Sequence, residues 1–204
     1  MKRSIKVGLL LLAVAFVVAL LAVWLRLQNG FSARSEPSAI EGFVARSLRS
    51  LSMPTGMQSM KNPVAETEEN LAEAMAHFAD HCAFCHANDG SGQTPIGRGL
   101  YPRPPDMRLS GTQSRSDGEL FHTIHNGIRL TGMPAFGDGN VAEDYDSWKL
   151  VHFVRRLPRL TPAELEEMKK MNPKSQTELD EEKEMQEFLQ GEEKEKPGSK
   201  HLHK

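Results

Sequence analysis

Cys82-Ala83-Phe84-Cys85-His86 holds the only two cysteines of this 204-residue chain, and its C-x-x-C-H spacing governs how the rest is read. Two thiols separated by two residues lie about one helical turn apart, so both can reach the edge of one flat macrocycle. A histidine directly after the second thiol is then held beneath the metal at its centre. The spacing reads as covalent attachment of one c-type haem, with thioethers from Cys82 and Cys85 and with His86 as an axial ligand of the iron. The other uses of this spacing fit less well. A thioredoxin-like dithiol expects a neighbouring βαβ pattern, and none surrounds residues 82–85. A zinc site would have to recruit distant histidines such as His77, His122 or His125, because there is no second cysteine pair. A disulfide between residues three apart would close a small strained loop.

The opposite face of the iron needs its own ligand. Met133 is the leading candidate, in Gly132-Met133-Pro134-Ala135-Phe136-Gly137. Glycine before it lets backbone approach closely, and proline after it stiffens the loop that would hold the thioether. Methionine sulfur raises a haem potential relative to a second histidine. His122 and His125 are the runner-up ligands, and His77, His81 and His152 read as surface or supporting residues.

The N-terminus carries a membrane signal. Three cations in residues 1–6 precede Val7–Leu25, nineteen residues without a charge. That length approaches the ~20 apolar residues that span a bilayer. Positive charge ahead of the run places the N-terminus in the cytoplasm and the remainder outside. An uncleaved anchor over residues 1–27 is favoured over a signal peptide, whose apolar core is shorter and whose cleavage site is missing here. The expected location is the bacterial inner membrane, single-pass, with the cofactor domain in the periplasm; the alternative is a cleaved, soluble periplasmic form.

Charge is unevenly spread. Residues 1–65 carry eight Lys/Arg against two Asp/Glu, whereas residues 66–171 carry eleven against sixteen. The basic excess thus lies beside the membrane, and the mildly acidic remainder argues against nucleic acid as a partner. Residues 28–61 read as a linker. Within it Ile40, Phe43, Val44, Leu48 and Leu51 recur at helical spacing. This stripe is expected to pack on the haem domain or to act as a spacer, with a membrane-surface helix as the alternative. Met53, Met57 and Met60 form an apolar face there rather than a copper site.

The haem domain is expected over residues 62–171. Asn62-Pro63 suits a helix start, and Leu71, Ala74, Met75 and Phe78 supply the apolar stripe of the helix that delivers the cysteines. Residues 87–112 are a long loop rich in glycine and proline, suited to wrapping a flat cofactor. Ser116-Asp117-Gly118-Glu119 is a capping box ahead of Leu120, Phe121 and Ile124, with Gly127 at the exit. A third helix is expected from Glu143 to Leu157 with Tyr145, Trp148, Val151 and Val154 (or Phe153) inward. Thr161-Pro162-Ala163-Glu164 caps a fourth. Residues 172–204 read as a charged, disordered tail, with a transient helix around Glu178–Leu189. No alternating strand is found, so the fold class is all-α.

Taken together, Cys82–His86, Asp89-Gly90-x-Gly92, Gly118-Glu119-Leu120-Phe121, Asn126-Gly127-Ile128, Gly132–Phe136 and Trp148-x-Leu150-Val151-x-Phe153 resemble a class I monohaem c-type cytochrome. The set is similar to the haem domain of cbb-type oxidase subunit III, over residues 66–171. The resemblance implies three to four helices around the haem, His86/Met133 ligation and electron transfer. It also implies a proline carbonyl that accepts the Nδ1–H of His86, with Pro102, Pro104 and Pro105 all eligible. Tyr101, Arg103 and Arg129 are candidate partners for the haem propionates, and Trp148 is a haem-proximal core residue.

The expected function is a membrane-anchored electron carrier with no catalytic residue of its own. Its partners would be redox proteins or the subunits of a larger respiratory complex. A sensor or peroxidase with an open sixth position is the remaining alternative.

Overall fold

The computed structural model describes residues 2–28, 30 and 32–189; these are helical, with no strand among them. Helix α1 spans Lys2–Gln28, and its Ile5–Gln28 portion is long and apolar enough to cross a membrane, with none of that surface buried. Helix α2, Ala39–Leu51, follows. Ser38 and Glu41 cap it reciprocally: Ser38 Oγ accepts from the Glu41 amide at 3.3 Å and Glu41 accepts from the Ser38 amide at 2.7 Å.

The helix expected to begin at Asn62-Pro63 starts later. Helix α3 is Glu68–His77, capped by Thr67, whose hydroxyl accepts from the Asn70 amide at 3.2 Å. Glu68 and Glu69 place negative charge at the positive end of its dipole. Asn62 instead stabilises the approach to the helix: its side chain accepts from Val64 N and donates to Trp148 O at 2.9 Å. A π-helical turn, Phe78–Cys82, continues α3 into α4, Ala83–His86. The short helix α5, Ser110–Gln113, then precedes α6, Asp117–Asn126.

Helix α6 has the expected Ser116/Glu119 capping box and leaves through Gly127 at φ +64°. Helix α7 is Tyr145–Arg156, two residues inside the expected start, because the carboxylate of Asp144 accepts from Ser147 N and forms the cap. The outward turn of Tyr145 corrects its expected core position; Trp148, Leu150, Val151, Phe153 and Val154 are the buried set. Helix α8, Pro162–Met171, has the Thr161/Glu164 box and proline in its first turn. Residues 176–189 form α9, Gln176–Leu189, over the stretch where a transient helix within the charged tail was expected. The remaining tail, including His201 and His203, lies outside the described residues.

The core is the crossing of α3, α6 and α7, closed by α8. Phe78 meets Phe153 with ring centroids 5.1 Å apart, and Phe121 stacks on Trp148 at 4.1 Å. Arg155 fastens α7 to the turn before α6, donating to Gln113 O at 2.7 Å, to Arg115 O and to Asp117.

The linker methionines bear on this core as packing residues. Backbone of the 57–60 segment lies against α6 at Gly118, where an added Cβ would come within 2.0 Å of Met57 O. Alanine normally outranks glycine in a helix by about 1 kcal/mol. Gly118→Ala is nevertheless expected to destabilise, because the methyl group displaces the 57–60 backbone. A lowered melting temperature together with new proteolytic cleavage between residues 52 and 61 is the expected result; an unchanged or raised melting temperature would refute this packing role.

Candidate haem site

One continuous helical run presents Cys82, Cys85 and His86. The π-helical turn adds a residue to the α3 repeat, so the thiols are rotated relative to the stripe that buries Ala74, Met75 and Phe78. Ala79 and Ala83 stay in the core while Phe84 faces out. The run ends at Ala87, at φ +62°, and the chain folds back over the motif. Gly92 N donates to His86 O at 2.7 Å, and Thr94 Oγ1 donates to Cys85 O at 3.3 Å. Gly97 is required for this return: a Cβ there would stand 2.5 Å from Cys85 O.

Both cysteines are free thiols, half-buried. Burial, with a smaller repulsion from Cys85, pushes the Cys82 thiol up to about 12, and burial also raises Cys85. A dithiol redox site works through a lowered thiol pKa, so these thiols have the opposite character. Among the described residues no group of three His, Cys, Asp or Glu is arranged to hold a metal ion, which leaves the zinc reading without ligands. Burial lowers the pKa of His86 and keeps its imidazole neutral, the form that ligates a metal. Two protonated thiols one turn apart and a neutral imidazole beside them fit a covalently held haem by donor chemistry.

His86 Nδ1 is buried without a hydrogen-bond partner. None of the Pro102, Pro104 and Pro105 carbonyls accepts a hydrogen bond from it here. The Pro104 carbonyl packs against Gly92 instead, where an added Cβ would lie 2.7 Å from the oxygen. Tyr101 and Arg103 are also engaged elsewhere. Arg103 pairs with Glu36 at 2.6 Å and donates to Arg34 O, and Tyr101 lies close to Glu41, burial together with that charge raising its pKa, so both border the linker. Arg129 is exposed on the turn preceding Met133. Trp148 is buried, as expected.

Met133 is half-buried in a tightly tied loop. Ile128 N donates to Met133 O at 3.0 Å, and Met133 N donates to Thr131 Oγ1 at 3.1 Å. Gly132 is needed because a Cβ there would meet Leu100 Cδ2 at 2.7 Å. The far end of the loop is pinned to the last turn of α6 by Phe136 N to Ile124 O and Gly137 N to His125 O. Phe136 makes edge contacts with His77 and His81, at 6.3 and 6.4 Å. The Met133 loop therefore meets the helix that carries the C-x-x-C-H run.

His125 has a structural role. Its Nδ1 is 2.5 Å from Asp144 Oδ2, with both side chains buried, and its ring stacks on Phe121. His122 is bonded to Asn126. The His125–Asp144 pair was missed from sequence because its members stand nineteen residues apart in separate elements.

Residues 69–154 match the family model described as cytochrome c oxidase, cbb3-type, subunit III. A thiosulfate dehydrogenase of Stutzerimonas stutzeri (strain A1501) is 27% identical over 137 residues, covering 61% of this chain. The chain spans less than half of that relative, 43% of its length. The all-helical architecture of the described residues and the free C-x-x-C-H run agree with a c-type cytochrome domain similar to the matched model over residues 69–154.

Proposed function

We propose that this chain is a membrane-anchored electron-transfer protein with one haem c. Cys82 and Cys85 supply the thioethers, His86 and Met133 the axial ligands, α1 the anchor, and the domain over residues 62–171 faces the periplasm. Bound haem supplies one-electron exchange between Fe(III) and Fe(II). The protein's own contribution is to keep both axial positions filled and to leave one edge open to weak, transient docking. The observation that carries this reading is the contact between the two ligand-bearing segments, through Phe136 and the His77–His81 face.

Met133→Ala tests it. The ferric wild-type protein is expected to show the far-red sulfur-to-iron charge-transfer band, and the variant to lose it while retaining covalent haem. Rapid CO binding by the untreated ferrous wild type would instead indicate an open sixth position and overturn the assignment of Met133.

A second reading is an electron-transfer subunit of a larger oxidoreductase. The matched family, an oxidase subunit, and the similar thiosulfate dehydrogenase favour it. Co-purification of further subunits in mild detergent would support it over a free carrier.

A further inference from the structure

The apolar stripe of α2 is turned away from the protein. Ile40, Phe43, Val44, Leu48 and Leu51 are all exposed, Phe43 to 66% and Leu51 to 82%, and no residue of α2 is buried. The partly covered positions are Gly42, Ser47 and Arg49. Gly42 and Arg49 are two turns apart and lie opposite the stripe, while Ser47 is a small polar position within it, between Phe43 and Leu51. The segment's neighbours are in the haem domain: Glu41, at the edge of the stripe beside Leu48, lies close to Tyr101, Arg49 on the far side lies within electrostatic reach of Arg115 and Glu119, and Arg103 grips Glu36 and Arg34 just before the helix. This orientation is the reverse of a linker helix that buries its apolar face on the domain.

Two observations identify what covers the stripe. Residues 29–38 separate α1 from α2, and ten residues reach at most ~35 Å, so the helix cannot leave the neighbourhood of the apolar span. The charge along this segment is basic: Arg26 ends α1, Arg34 lies between the two helices and Arg46 flanks Phe43 on α2, while Glu36 is paired with Arg103 and Glu41 is held by the Ser38 cap. An exposed apolar stripe with arginines beside it, tethered to a membrane span, has the chemistry of an interfacial helix on anionic lipid.

We propose that α2 lies in the leaflet at the C-terminal end of α1, its Ile40–Leu51 stripe inserted among anionic phospholipids and its polar side holding the haem domain. The 101–119 edge of the domain then faces the membrane, so its orientation is set by α2 and not left to a free tether. The inference rests on the reading of α1 as a membrane anchor.

The test uses the full-length holoprotein in vesicles of phosphatidylglycerol and phosphatidylethanolamine. Nitroxides are attached, one at a time, at Phe43→Cys, Leu48→Cys, Ala45→Cys and, within α1, Ala15→Cys. The ratio of collisions with oxygen to those with a water-soluble nickel chelate is expected to be several-fold higher at positions 43 and 48 than at 45. Equal, water-like ratios at 43, 48 and 45 overturn the proposal. So do labels at 43 and 48 shielded from both reagents, which indicate a protein partner, and label–label broadening, which indicates a second copy. The label in α1 reports separately on the anchor: a water-like ratio there refutes the anchor, while high ratios at 43 and 48 would still support the interfacial helix.

Discussion

Replacing both Cys82 and Cys85 with serine is expected to abolish covalently attached haem and, with it, the cooperative folding of the domain. The single replacements should each leave one thioether, read as a displaced pyridine haemochrome band. His86→Ala should keep both thioethers while losing normal ligation. The argument for the first outcome is chemical: these are the only sulfhydryl groups in the chain, both are free, and they stand one turn apart beside a neutral imidazole. The argument for the second is architectural. Between α4 and α6 the chain has only short helical turns, at Gly97–Gly99 and Ser110–Gln113, and a stretch that irregular is uncommon in a compact domain unless it serves a site. Gly92 and Gly97 fold it directly over the carbonyls of the C-x-x-C-H run. Solvent-extractable haem in the double variant is the expected readout. A double-serine chain that still holds haem after acidic acetone extraction would refute the assignment of the thiols.

What could be read from sequence was local, and what could not was long-range. The Ser116/Glu119 and Thr161/Glu164 capping boxes are each confined to four residues, and both helices start where those boxes lie. Asn62-Pro63 has the same local form but does not cap a helix, because the Asn62 amide is recruited by Trp148 O, eighty-six residues away. The stripe on α2 was legible as a stripe. Its direction was not, since periodicity says which residues share a face and not which side of the helix meets the protein. Tyr101 and Arg103 suited a carboxylate-bearing ligand by residue type; Arg103 pairs with the Glu36 carboxylate of the linker, and Tyr101 lies close to that of Glu41. In the candidate site, Cys82, Cys85 and His86 are legible because covalent attachment demands a fixed short spacing, whereas Met133 depends on a loop assembled from Leu100, Ile124 and His125.

His125→Ala is expected to be the most damaging single change outside the C-x-x-C-H run. The imidazole is 3% exposed and its Asp144 partner 8%, so truncation strands a carboxylate in the interior. Leaving a buried charged acceptor without its hydrogen-bond partner costs upward of about 3 kcal/mol. The ring also stacks on Phe121 and fills the space against Gly137, where even a Cβ would come within 2.0 Å of His125 Nδ1. Its loss should loosen the end of the Met133 loop, which hangs from the His125 carbonyl. Guanidinium unfolding of the ferric protein should show the loss of stability, and the far-red band should weaken at lower denaturant than the helical signal. Asp144→Asn should cost less, about 1–2 kcal/mol, because the amide still accepts from Ser147 N. The two variants differ in pH dependence from the wild type in a defined direction. Burial alone would raise the Asp144 carboxyl, but the bonds from Ser147 and His125 outweigh it and hold the pKa below the ordinary value. A depressed carboxylate contributes stability that is complete above its unfolded pKa of about 3.9 and is lost as pH falls through the folded value. Asp144→Asn should therefore flatten the acid limb of the stability profile, leaving the shares of the other depressed carboxylates, among them Asp106, held down by its bonds to Arg108, and Glu164, whose bonds to Thr161 and Arg156 outweigh burial. An acid limb as steep in Asp144→Asn as in the wild type would mean that the pair does not anchor the loop electrostatically.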